Sequence, residues 1–359
     1  MKFLLFFFVV TYSCLNTYLL NGSLRFCSES QIVRKSNEEP LYTDNPNYFS
    51  KVVALNAMAW IVTDGHKMWK TTNAGNKWTL LRFQGIQLSS ESHVGGISFV
   101  NENVGFVVFD NRLFVTESGG DTWLLVSRTV TPSSNYYIED IFFVTNQIGW
   151  VAGSRLNVSK SKIQQGPVYE GFVLITTDSG KTWKEQTLSK NEFKNWRLRS
   201  IFFATESAGC AVGDGVIFYT SNAGATWNLA QSKQYDFDKV RFIDPMQGWA
   251  IVRGSKSFVV THDRGRSWEL QSINIPCNAG TLNVEFLSAN TGDCDCHLLY
   301  VTNDVGKSWQ RAKINSDNKQ LTYDYLVRAI SGSLIAININ REKVSTLVSN
   351  NNGETWDPL

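Results

Sequence analysis

The side chains of this sequence best suited to recognition chemistry are arginines and aromatics at the starts of neighbouring apolar segments. Trp196, Arg197 and Arg199 open one such segment and Arg241 lies in the next. A guanidinium fork grips carboxylates and stacks on aromatic rings, and Arg, Trp and Tyr dominate the hot spots of protein interfaces. Tyr136, Tyr137, Tyr235, Tyr323 and Tyr325 add aromatic area in the same class of segment, and Lys239 and Arg328 add charge. The set predicts a surface that binds another protein, centred on Trp196, Arg197, Arg199, Arg241, Tyr235 and Tyr136. Glu139, Asp140, Asp236, Asp238 and Asp324 are interleaved with it and are equally suited to neutralising it locally.

Catalysis has less support. Glycoside hydrolysis needs two carboxylates at a fixed separation, and the sequence singles out no pair; Asp236 and Asp324 are the loop carboxylates such a reaction would draw on. There is no G-x-S-x-G elbow, no H-E-x-x-H and no phosphate-binding glycine loop. Cys277, Cys294, Cys296 and His297 do not have the spacing of a zinc site, so no metal and no cofactor is expected. A disulfide from Cys277 to Cys294 or Cys296 is expected instead, because both regions map to one set of connecting loops, and Cys210 is read as a buried thiol. With 34 Lys and Arg against 32 Asp and Glu, and no basic run interleaved with aromatics, nucleic acid is not an expected partner.

These loops must be positioned by a repeat. Seven times a Thr or Ser is followed two residues on by Asp, Asn or Ser, then by Gly, then three later by Trp. The second positions are Asn73, Ser118, Asp178, Asn222, Asp263, Asp304 and Asn351, and the frames run from Thr71–Trp78 to Ser349–Trp356. The pattern is that of the Asp-box, a tight turn in which the short polar side chains bond the local backbone and Gly supplies positive φ. Its reading is structural. Intervals of 45, 60, 44, 41, 41 and 47 residues between the Trp rings suit four short strands per repeat. Upstream lies a second element, an apolar strand followed by Gly and an aromatic, as in Ile141-Phe142-Phe143 to Gly149-Trp150. The expectation is an all-β, single seven-bladed β-propeller over 48–359, with all boxes on one face and function on the other. The long interval is assigned to a loop from Gly153 to Gly171.

Lys2 followed by the apolar run Phe3–Val10 has the layout of a secretory signal, assigned to 1–23. Cys14 offers a lipoprotein alternative, which would make a lipid anchor the only membrane contact. Residues 24–47 are expected to pack on the propeller edge, with Gln31–Lys35 covering the last blade. Export to a periplasmic, lumenal or extracellular space and a monomeric state follow as expectations.

The combined unit, carried best by Ile141–Trp183 and Val240–Trp268, resembles the photosystem II stability/assembly factor family over about residues 50 to 359. That resemblance implies a non-enzymatic scaffold that binds membrane-protein assembly intermediates through an arginine-rich patch, to which Arg197, Arg199 and Arg241 would correspond. The alternatives are a carbohydrate-active or carbohydrate-binding Asp-box protein of sialidase-like fold, and a periplasmic inhibitor or immunity-type lipoprotein.

Overall fold

A computed structural model describes residues 50–83, 92–159, 161, 166–188, 195–232, 235–273, 283–286, 292–295, 299–304, 306–315, 323–339 and 344–359. The secretory and lipoprotein assignments, Cys14, Gln31–Lys35, Cys277 and Cys296 lie outside these residues. Cys294 falls in the strand Gly292–Asp295, opposite Val284 and Tyr300.

The described residues contain no helix. Their strands pair into six four-stranded antiparallel sheets in simple up-and-down order and one five-stranded sheet, in which four such strands gain a parallel edge strand. This is a β-propeller. Each box bridges the third and fourth strands of its sheet, from Met68–Thr71 and Thr79–Leu80 to Val344–Ser349 and Thr355–Pro358. In the third sheet Gly180 N–H donates to Thr176 Oγ1 at 2.8 Å, and Thr182 N–H to Asp178 Oδ1 at 2.9 Å. The seven box glycines have φ between +80° and +92°, where a side chain would be strained.

Neighbouring sheets are sealed by aromatics. Trp150, after Gly149, stacks on Phe203 of the next sheet at 3.4 Å, and Phe106 on Phe143 at 3.6 Å. The fourth sheet has the fully buried Cys210 in this slot, as expected, and burial raises its thiol pKa far above the ordinary value. The ring closes between the last and first sheets: Ile330 N–H donates to Ala54 O at 3.0 Å and Thr346 Oγ1 to Ala74 O at 3.3 Å. The outer edge of the last sheet is met by Lys313–Ile314, running parallel to Thr355–Trp356, which removes an open edge.

One expectation needs correcting. The insertion in the third sheet is not loop from Gly153 onward. Gly149–Leu156 and Tyr169–Thr176 stay paired through Leu156 and Tyr169, so the connection spans only 157–168. Three strands of this sheet are eight residues long, against four to six in the equivalent strands elsewhere. At about 3.3 Å per residue, the third sheet overhangs its neighbours by roughly 7–10 Å on the face opposite the boxes.

Candidate functional site

The overhang exposes side chains that shorter sheets would lack. Strand alternation sends Tyr136, Arg155 and Glu170 to one side and Tyr137, Ser154 and Gly171 to the other. On the first side Arg155 donates to Glu185 Oε1 at 2.7 Å and to the Tyr136 hydroxyl at 3.2 Å, and its Nε lies 3.6 Å from Glu170. Tyr136 packs its ring against Phe172. This side is a closed network.

The second side is different. Gly171 has no side chain, and a Cβ there would strike the Trp196 indole. The indole lies over the strand, 7% exposed and 5.5 Å from the Phe218 ring. Trp196 is therefore core between the third and fourth sheets rather than a contact surface. It anchors its neighbour: the Arg197 guanidinium stands 3.9 Å over the Tyr169 ring. Tyr169 meets the ring of Tyr137 edge-on at 6.0 Å, and Tyr137 is 45% exposed. The main chain of Arg197 is fixed by Gly213, where a Cβ would collide with the Arg197 carbonyl, and that carbonyl accepts from Asp214 N–H at 2.9 Å. Among the described residues no carboxylate pairs with Arg197, whose side chain rests on the Tyr169 ring.

The other sequence-derived residues do not join this group. Arg199 sits in a β-bulge opposite Val212–Gly213, its Nε 2.8 Å from Asp214. With Arg253, paired to Asp238 at 3.4 Å, it belongs to a cluster that also holds Asp214 and Asp236. Burial pushes the Asp238 carboxyl upward, against the opposing pull of Arg253 and Arg199. Three carboxylates against two guanidiniums leave no positive patch there. Arg241 is not in an equivalent position. It pairs with Trp249, just as Phe202 pairs with Cys210, so it lies at the box end of its strand. Tyr235 packs half-buried near Phe237, and Tyr323 is core, with its hydroxyl pushed up to about 12 by burial. Arg328 also falls at the box end, opposite Leu334.

Tyr169, Gly171 and Gly213 were not singled out from the sequence. A glycine inside a strand signals a close approach by another chain segment, which is the role of both glycines here. Among the described residues no group of three metal-ligating side chains converges.

No protein-family model matches the chain. A photosystem II assembly lipoprotein, Ycf48 of Synechococcus sp. (strain CC9902), is 24% identical over 203 residues, 53% of this chain and 56% of that protein. The chain thus matches little more than half the length of that relative. Among solved structures, Ycf48 bound to D1 peptide superposes with a TM-score of 0.55 at 14% identity, covering 86% of this chain and 92% of that one. An ancestral GH74 enzyme gives 0.58 at 16% identity, covering 90% of this chain but 48% of its own. These likenesses establish the propeller fold.

Proposed function

We propose that the chain is an exported, non-enzymatic, seven-bladed propeller that acts as a protein-binding scaffold or assembly factor, as Ycf48 does. The observation that carries the reading is the Arg197 guanidinium stacked on Tyr169 beside the exposed Tyr137, without a carboxylate partner among the described residues. A rigid fork on an aromatic platform is a preorganised donor to acidic or C-terminal carboxylates of a peptide. The partner proposed is a segment of a membrane-protein assembly intermediate. Likeness to a lipoprotein fits a secretory leader and lipidation at Cys14, the only membrane contact the reading requires, and monomeric action is part of it.

The test uses a fluorescent D1 peptide titrated into the full chain. Replacing Arg197 or Tyr169 by Ala should weaken binding by about 2 kcal/mol, roughly 30-fold, as for a true hot spot. Tm should move little for Arg197→Ala. Unchanged affinity in both variants overturns the site. The likeness to a GH74 enzyme keeps a carbohydrate-active reading in view. Turnover of a glycoside panel, lost on replacing Asp236 or Asp324, would replace the scaffold reading.

A further inference from the structure

The innermost strands leave one backbone edge facing the axis of the ring, where no further strand can pair. Each exposed group must find another partner or lose free energy. The structure shows side chains from neighbouring sheets doing this. Phe143 N–H donates to Ser98 Oγ at 2.9 Å, Ile201 N–H to Asp140 Oδ2 at 3.1 Å, and Val240 N–H to Ser200 Oγ at 3.3 Å. On the acceptor side Lys51 Nζ reaches Glu139 O at 2.6 Å and Gly95 O at 3.2 Å. These bonds identify the side chains that line the axis.

Arg241 belongs to this set. Its Nη1 donates to Val240 O at 2.8 Å, and because Val240 N–H points away from the second strand, so does that carbonyl. The guanidinium also lies 5.5 Å over the Phe202 ring, which touches Phe142 at 4.5 Å between ring centres. Among the described residues, the charged side chains that bond at this edge or bridge neighbouring innermost strands include Lys51, Lys239 and Arg241 against Asp140 and Glu285. Asp140 is taken by Ile201 N–H, the Ser200 hydroxyl and, at 3.9 Å, Lys51. Glu285 is taken by Lys239. Among the described residues Arg241 has no carboxylate partner, and one of its five N–H groups is accounted for.

We propose that the axial channel holds an oxyanion site at Arg241, walled by Phe202 and Phe142, that takes one carboxylate or phosphate group of a small solute. It stands apart from the peptide surface at Arg197 and does not depend on it. The flat fork can present two parallel donors to one oxyanion, and the aromatic wall limits hydration of the guanidinium, so the pairing is stronger than on an open surface.

Thermal melts in inorganic phosphate or acetate, against chloride at equal ionic strength, supply the first readout, because a ligand that binds only the folded state raises Tm in a saturable way. Arg241→Gln should weaken the apparent affinity at least tenfold, Arg241→Lys should fall between, and Arg128→Ala, at an exposed arginine outside both sites, should match wild type. A response to phosphate alone or acetate alone identifies the group accepted. No saturable response, or an equal response in Arg241→Gln, overturns the site. If Arg241→Gln fails to fold, the arginine Nε–H resonance of wild type that disappears in Arg241→Lys is followed during phosphate titration. A shift that saturates supports the site and a stationary resonance overturns it.

Discussion

The two faces of this ring are built by opposite rules. On the box face the same turn recurs, with Thr or Ser, Asp, Asn or Ser, and Gly in corresponding roles. On the opposite face the sheets differ: the third rises above the rest and carries Tyr137, Tyr169 and, against its neighbour, Arg197. Titration reflects the same division. The Thr182 and Ser308 hydroxyls hold Asp178 and Asp304 below the usual carboxylate range, whereas burial pushes Asp238 above it. A repeated feature answers a need shared by every sheet, which is folding. An irregular one meets no such need and is the place to look for function.

The largest effect expected from breaking this comparison is at Trp196, which sequence reasoning placed in the binding surface and the structure places in the core. Trp196→Ala should lower stability by about 3–5 kcal/mol, the usual range for a buried aromatic, as measured by denaturant unfolding. A near-normal midpoint would return Trp196 to the surface. Gly171→Val tests the same junction from the other side and should also destabilise, because its branched side chain and the indole cannot share the space.

The sequence displayed the fold because the repeat reports a local interaction that each copy satisfies within about eight residues. Thr176, Asp178 and Gly180 bond one another, so their types can be read without knowing what lies across the sheet. The site was only partly legible. Arg197 was found by its chemistry, but Tyr169 meets it from the preceding sheet, 28 positions earlier. Trp196 and Arg197 are adjacent in sequence, yet Gly171 lets the first be buried while Tyr169 holds the second at the surface. Arg241 is not equivalent to Arg199: it lies seven residues before Gly248, as Phe202 lies seven before Gly209, whereas Arg199 lies ten before Gly209 and inside the bulge of its strand. The partner of Arg199, Asp214, lies across that bulge and could not be paired with it by counting.

An intermediate effect is expected at the boxes. Asp178→Ala removes the acceptor of Thr182 N–H, at 2.9 Å, and of the Thr182 hydroxyl, at 2.6 Å. A comparable loss of a capping side chain is worth about 1–2 kcal/mol. The carboxyl pKa is lowered on folding, so its contribution is present above the unfolded value and is lost as pH falls through the folded one. Wild type and Asp178→Ala should therefore differ at pH 7 and converge at a pH below the folded carboxyl value, which lies under the ordinary one. A difference that persists at that pH would show that the turn depends on shape and not on the charge of Asp178.

The smallest effect is expected at the irregular cluster, and its sign should be reversed. Asp238 has its pKa raised on folding, mainly by burial, so folding favours its protonated form. Its contribution is fully present below the unfolded value, near pH 4, and is lost as pH rises through the folded one. Asp238→Asn does not titrate. Relative to wild type it should therefore gain stability between about pH 4 and pH 7, while giving up the 3.4 Å pair with Arg253. Half-exposed ion pairs contribute about 0–1 kcal/mol, so the net change at pH 7 should stay within about 1 kcal/mol. Chemical denaturation of both proteins across this range decides the point. If Asp238→Asn instead loses ground as pH rises, its pairing with Arg253 and Arg199 outweighs burial, and the two faces titrate alike.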